Sequence, residues 1–402
     1  MPRCCSNKSF GGIVPAGLLP IIYLAFIALG LPDSAIGSAW PTMAPALGAG
    51  LSWVGAVSMI ISAGTIVSSL MSVRVVDRFG TGRVTAASVL LTAAALMGFS
   101  LSGEFWQLCL WAIPYGLGAG AVDAALNAYV AVHYKSQHMS WLHCMWGVGA
   151  SGGPVIMSMC LGTGTWNDGF RVLGIAQLVI VAVLTLSLPL WKDRKLPHAA
   201  GADAERGEAR RTRRELLGVR GVVPVLICFF CYCSVEGTCG NWAATYCSLA
   251  AGISASTAAS WASLFYIGIT VGRGVSGFLT IRLKDEQMIR LGQVLIAAGV
   301  VVMLVPGLRH LLPVALVLIG SGCAPIYPSI IHATPKRFGE DVALELTGMQ
   351  MAIAYIGYLV ASPAFGVLAQ LISVELYPVY LCVFLLAMII AAEWTNRVTR
   401  RA

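Results

Sequence analysis

Charged side chains are scarce in this chain: they make up 11% of its 402 residues, while 57% are hydrophobic. An ordinary soluble domain carries about 25% charged residues. With a mean hydropathy of +0.79, too few polar side chains remain to coat a water-soluble globule of this size. Acids are fewer than bases, 18 against 26, giving a net charge of +8. That excess does not make a nucleic-acid surface, because the bases fall between long apolar runs, where they set topology. A complete set of metal-binding pairs is also missing. Most of the twelve cysteines, among them Cys109, Cys144, Cys160, Cys323 and Cys382, lie inside apolar runs as small packing residues. The cluster of Cys228, Cys231 and Cys233 has no second Cys/His pair to complete a site, so no metal or cofactor is expected. A cleavable leader is not expected either. Arg3 and Lys8 precede an apolar run that continues past Trp40 without a small-residue cleavage site, so the run reads as a retained first span.

What the chain has in abundance is apolar stretches long enough to cross a bilayer, which needs about 20 residues each. They lie near 14–40, 52–73, 84–102, 106–131, 141–162, 170–190, 221–247, 257–281, 288–306, 310–333, 343–370 and 374–394. The pattern predicts an all-α membrane protein of twelve transmembrane helices in two pseudo-symmetric six-helix bundles, residues 1–190 and 220–402, joined by a charged linker over 191–219. With a cytoplasmic N-terminus, Arg171 and Arg309 fall near outer loops and Arg273 falls within a span; every other Lys and Arg faces inward. Both termini are therefore expected inside, in a bacterial inner membrane. A monomer in contact with lipid is expected. The arginine-rich linker reads as a solvated tether.

Landmarks recur between the halves. Asp33 precedes Glu236 by 203 residues, and Gly116 and Gly118 precede Gly320 and Gly322 by 204. Gly153-Pro154 answers Ser362-Pro363. Two parallel repeats of this kind place a substrate at their interface.

Acids inside spans carry most of the functional signal, because one at mid-bilayer costs about 2.5–3.5 kcal/mol on insertion scales. Asp33, Asp123 and Glu236 qualify, against one intramembrane base, Arg273. At least two carboxyls thus lack a fixed cation and can cycle protons. Gly116, Gly120, Asp123 and Asn127 share one helical face. That face reads as a narrow polar surface suited to a cavity, with Asp123 linking protonation to substrate and Asp33 nearer the outer side. Trp40, Asn127, His143, Trp146, Asn241, Trp242, Gln350 and Tyr355 are candidates to stack on and hydrogen-bond a polyhydroxylated solute; Asn127, Trp146 and Asn241 lead.

Between spans 2 and 3, Arg74-Val-Val-Asp77-Arg78-Phe-Gly80-Thr-Gly82-Arg83 resembles the loop signature of the major facilitator superfamily. The resemblance implies gating roles for Asp77, Arg78 and Arg83, and Arg273 joins them as a candidate. Further stretches resemble the fucose–proton symporter branch: those around Asp33, Asp123-Ala-Ala-Leu-Asn127, Leu142-His143-Cys-Met-Trp146-Gly147, Glu236-Gly-Thr-Cys-Gly-Asn241-Trp242 and Ala324-Pro325-Ile-Tyr327-Pro328. The resemblance extends over nearly the whole chain. The branch implies proton-coupled sugar symport by acids in spans 1 and 4, although its span 4 acid is Glu where this chain has Asp123. An exporter of drugs or metabolites driven by protons, and a non-transporting nutrient receptor on the same fold, are the alternatives. Enzyme chemistry is not expected. Gly149-Ala-Ser151-Gly152-Gly153 matches a serine-nucleophile pattern, but such matches arise freely in small-residue membrane helices.

Overall fold

A computed structural model describes residues 17–134, 136–191 and 213–399; most of the expected linker, 192–212, lies outside the described residues. Every regular element among the described residues is helical. Among the described residues twelve helices are long and apolar enough to cross a membrane: Leu18–Ala46, Leu51–Ser72, Thr81–Leu101, Phe105–Val130, Trp141–Thr163, Trp166–Leu186, Val222–Ala250, Ala255–Leu279, Asp285–Leu304, Pro306–Phe338, Leu346–Leu371 and Val374–Thr399. They are numbered here as spans 1 to 12. Large apolar side chains such as Leu101, Leu186, Phe278 and Leu371 stand outward and exposed, a surface that lipid satisfies and water does not. The chain is an integral membrane protein.

Several helices run past the apolar stretches read from sequence. The helix of span 2 continues to Phe79, through Arg74, Asp77 and Arg78, because charged side chains can leave the bilayer while the backbone stays helical. One residue then makes the whole turn into span 3: Gly80, with φ 83°, a conformation that favours glycine. Gly339, with φ 91°, does the same between spans 10 and 11.

The packing repeats with a shift of six spans. Span 4 packs on spans 2 and 3, as span 10 packs on 8 and 9. Span 1 packs on 5 and 6, as span 7 packs on 11 and 12. Across the halves, span 5 meets span 8 and span 11 meets span 2. The glycine landmarks explain this repeat at atomic level. A Cβ on Gly116 would lie 2.3 Å from the Ile61 carbonyl of span 2, and one on Gly320 would lie 2.0 Å from the Phe265 carbonyl of span 8. Gly118 and Gly322 make matching approaches to Ser88 and Gly292, each at 2.5 Å. Small residues let membrane helices meet backbone to backbone, where dispersion and polar contacts replace a hydrophobic driving force.

Among the described residues, the hydrogen bonds between the halves lie at the end opposite the Gly80 and Gly339 turns. Ser52 donates to Gln370 Oε1 through its hydroxyl at 2.6 Å and its amide at 2.9 Å. The Ser256 hydroxyl donates to the Ser158 carbonyl at 2.9 Å. At the same end Gly37 abuts the backbone of Gly240 and Asn241.

Candidate functional site

Span 1 is not one continuous helix. A segment Leu18–Asp33 ends and a second, Ala35–Ala46, begins after Ser34. Pro32 contributes to the break, since it has no N–H to give the ladder. The Ser34 hydroxyl fastens the break to span 5 by donating to the Ala150 carbonyl at 2.7 Å. Gly30 and Gly153 bring the two backbones close, because a Cβ on either would fall 2.1 Å from a carbonyl oxygen of the facing span. This close seam delivers Asp33 to Trp146. The indole Nε1 donates to Asp33 Oδ2 at 2.7 Å, and the Tyr115 hydroxyl of span 4 donates to Oδ1 at 3.0 Å.

The second acid sits at the equivalent place in span 7. Glu236 is buried and accepts from the Tyr358 hydroxyl of span 11. Its other oxygen lies 3.9 Å from the Arg273 guanidinium of span 8. That guanidinium lies over the Trp146 ring, 5.4 Å from its centroid. One run of contacts therefore crosses the molecule: Tyr115, Asp33, Trp146, Arg273, Glu236, Tyr358. Six spans contribute, three from each half.

The run borders a cavity of about 300 Å³ lined from both halves, Asp33, Tyr115 and Trp146 on one side and Glu236, Asn241 and Tyr358 on the other. Glu236 is buried whereas Asp33 is exposed to the cavity; two carboxyls and one cation along this run interact more strongly than they would in open water, because Coulomb interactions strengthen as the local dielectric falls. Among the described residues, Asp33 has hydrogen-bond donors but no cation, whereas Glu236 has both.

Of the residues singled out from sequence, the structure brings Asp33, Trp146, Glu236, Asn241 and Tyr355 to this cavity, with Arg273 at its edge. Asn241 also donates to the Ser362 hydroxyl at 2.8 Å. Other candidates are elsewhere. Trp40 and Trp242 are fully buried, their indole N–H groups given to the carbonyls of Leu51 and Ser362, each at 2.9 Å. Gln350 is buried and donates to the Thr334 hydroxyl at 3.0 Å. His143 is exposed, edge-on to Phe26.

Asp123 and Asn127 pair with each other, Asn127 Nδ2 donating to Asp123 Oδ1 at 2.8 Å, and neither lines the cavity. The glycines of their face do not open onto a void either. Gly116 and Gly120 are filled by the backbone of Ile61 and Thr65 in span 2, so what the sequence presents as a cavity face includes a packing seam. Asp77, Arg78 and Arg83 lie at the Gly80 turn; Arg78 stacks on Phe79, and Asp77 is engaged by neighbours. Ser151, of the serine pattern, donates to the Gly147 carbonyl of its own helix.

Tyr115, Tyr266 and Tyr358 line the cavity without having been picked out beforehand. A signal for one of them existed: Tyr358 lies three residues after Tyr355, on the same helical face.

A larger cleft, about 1080 Å³, lies wholly in the second half near the turns, lined by Arg282, Lys284, Asp285, His332, Lys336 and Arg337 among others. Its two acids meet some of its bases: Asp285 contacts His332 at 2.8 Å and Lys336 at 3.5 Å, and Glu286 lies 3.8 Å from Arg337. It is lined from one half only, so it lacks the two-sided construction of the central cavity.

Comparison with known proteins places these features. The sequence profile of the Major Facilitator Superfamily matches residues 22–343 and, in a second match, 225–401. Bypass of stop codon protein 6 of Saccharomyces cerevisiae is 23% identical over 421 residues, covering 95% of this chain and 83% of that protein. Among solved structures, the peptide transporter POT superposes with a TM-score of 0.75 at 13% identity, covering 96% of this chain and 95% of that one. A D-xylose–proton symporter superposes with a TM-score of 0.73 at 14% identity, covering 93% and 96%.

Proposed function

The chain belongs to the Major Facilitator Superfamily, and from that premise we propose that it is a proton-coupled symporter of a sugar or similar small polar metabolite. The observation that carries the reading is the central cavity, which holds an acid from each half, Asp33 and Glu236, joined through Trp146 and Arg273. A volume of about 300 Å³ stands at the low end of small-molecule sites and supports a monomeric solute. Asn241, Tyr355 and Trp146 supply the amide, phenol and indole that hold hydroxyl groups and stack on a ring. The name of the D-xylose–proton symporter is consistent with this chemistry. A peptide transporter shares the fold, so the fold alone does not select the solute and the cavity lining does. Membership of the fucose–proton symporter branch is part of this proposal.

In this reading residues 1–190 and 220–402 rock about the cavity, with 191–219 as tether. The basic turns at Gly80 and Gly339 face the cytoplasm by the positive-inside rule, in a bacterial inner membrane, with both termini inside. The contacts at the opposite end then close the outward path, and the structure is an inward-facing state. Asp33 and Glu236 are the coupling acids in the cavity; Asp123, paired with Asn127, has a subordinate part. Asp77, Arg78 and Arg83 act in gating. Asp77→Asn and Arg83→Ala are expected to slow solute exchange while leaving affinity within a few-fold; abolished binding in folded protein would move them into the site.

Uptake into proteoliposomes tests the function itself. The expected result is accumulation of a solute above its outside concentration when only a pH gradient, acid outside, is imposed. Binding without flux would make the protein a receptor. Accumulation only with the gradient reversed would make it an exporter.

A further inference from the structure

Arg273 is the cation that the described residues bring to the edge of the central cavity, and its hydrogen-bonding capacity is unspent. A guanidinium carries five N–H donors in a planar fork. Among the described residues it makes no hydrogen bond: its carboxylate neighbour, Glu236, stays at 3.9 Å, beyond hydrogen-bond reach. Its face is occupied by Trp146, a contact that leaves in-plane donors for another group. The side chain is 23% exposed, so water compensates only part of this. Glu236 and Trp146, the two groups that flank it, both line the cavity.

We infer that Arg273 receives a carboxylate of the transported solute, so that the substrate is a small hydroxylated monocarboxylate such as a sugar acid. This deepens the symport reading above and rests on it. A carboxylate is planar, carries two acceptors and matches the guanidinium fork in a bidentate pair. A phosphate would bring up to two negative charges next to Asp33 and Glu236, so one carboxylate is the better fit. The remaining hydroxyls face Asn241 and Tyr355, which line the same space.

The arrangement also gives the solute a reason to travel with a proton. When its carboxylate joins Glu236 at one guanidinium, two anions share one cation, and Asp33 stands on the other side of Trp146. A proton taken from water onto Asp33, which has no cation partner among the described residues, restores the balance, so solute and proton favour each other's binding by the same factor. Among the described residues, the titratable groups within electrostatic reach of Asp33 are Tyr115, which is hydrogen-bonded to it, and Asp123 from span 4, and Tyr266 from span 8; none of them is a cation.

The test is a thermal-stabilisation titration of the purified protein with pentoses and hexoses, each beside its own aldonic and uronic acid. At least one acid should bind about tenfold or more tightly than its neutral parent, as a charge-assisted pair gives. Arg273→Gln should lose roughly tenfold or more of that affinity, and Arg273→Lys, which keeps the charge without the fork, should fall between. The ligand-free melting temperature of each variant establishes that it is folded. Neutral sugars binding as tightly as their acids, no acid binding at all, or an unchanged affinity in folded Arg273→Gln would each overturn the inference. Uptake separates this failure from failure of the symport reading. A neutral sugar accumulated with protons removes the carboxylate site and keeps symport; a sugar acid that binds but is not accumulated keeps the site and removes symport.

Discussion

Asp33 and Asp123 look alike in the sequence: each is an aspartate within an apolar span of the first half, with small residues around it. Their surroundings differ in kind. Asp33 ends a helical segment and is held by side chains from two other spans, Tyr115 and Trp146. Asp123 lies inside a continuous helix and accepts from Asn127, one turn along the same helix. A donor on another helix ties a carboxyl to the relative position of the helices, whereas a donor on the same helix moves with it. An acid of the first kind can report and drive a rearrangement of the spans; one of the second kind is largely indifferent to it.

Three substitutions sharpen this contrast. The largest effect is expected from Gly120→Leu, on the face that carries Asp123. Its Cβ would lie 2.2 Å from the Thr65 carbonyl, and backbone cannot yield as a side chain can, so the cost is at least about 1–3 kcal/mol. Loss of monodisperse folded protein on size-exclusion chromatography is the expected outcome. A folded variant with a blocked site would instead make this face a cavity wall. Next comes Trp146→Phe, which keeps a ring under Arg273 but removes the indole N–H from Asp33. A hydrogen bond to a charged group contributes about 1.5–3 kcal/mol, so accumulation under a fixed pH gradient should fall roughly tenfold or more with the folded yield unchanged. Asn127→Ala should have the smallest effect. It strips Asp123 of its donor but leaves every cavity contact in place, so solute affinity, read by stabilisation, should stay within about twofold.

Much of the fold was legible because a bilayer permits few solutions: apolar runs of about 20 residues become helices. The repeat was legible through Gly116, Gly118, Gly320 and Gly322, since contacts under 3 Å from a built Cβ exclude every larger residue. Helix ends were less so. Span 1 continues through Pro41 and Pro45 to Ala46, past the limit that an apolar run ending near residue 40 implied, because prolines in membrane helices are tolerated where neighbours re-satisfy the backbone.

The site was only partly legible. Hydropathy marks Asp33, Glu236 and Arg273 by their charge, and these three do gather at the cavity. It gives Tyr115 and Tyr358 no such mark, although they hold the two carboxyls. Nor does it separate Trp146, whose indole meets an acid, from Trp40 and Trp242, whose indoles are satisfied by backbone carbonyls in the core. That distinction depends on rotation about each helix axis, which packing sets and composition does not.

The central claim, that Asp33 couples protons to solute while Asp123 does not govern that step, rests most directly on one paired measurement. Asp33→Asn and Asp123→Asn are reconstituted at equal density, and each is assayed for solute counterflow and for accumulation under an inwardly directed proton gradient. In Asp33→Asn, counterflow should persist and accumulation should vanish, because the site still binds and alternates but no longer exchanges the proton. Asp123→Asn should do both, within a few-fold of the unsubstituted protein. Accumulation retained by Asp33→Asn, or lost by Asp123→Asn with counterflow intact, would contradict the account.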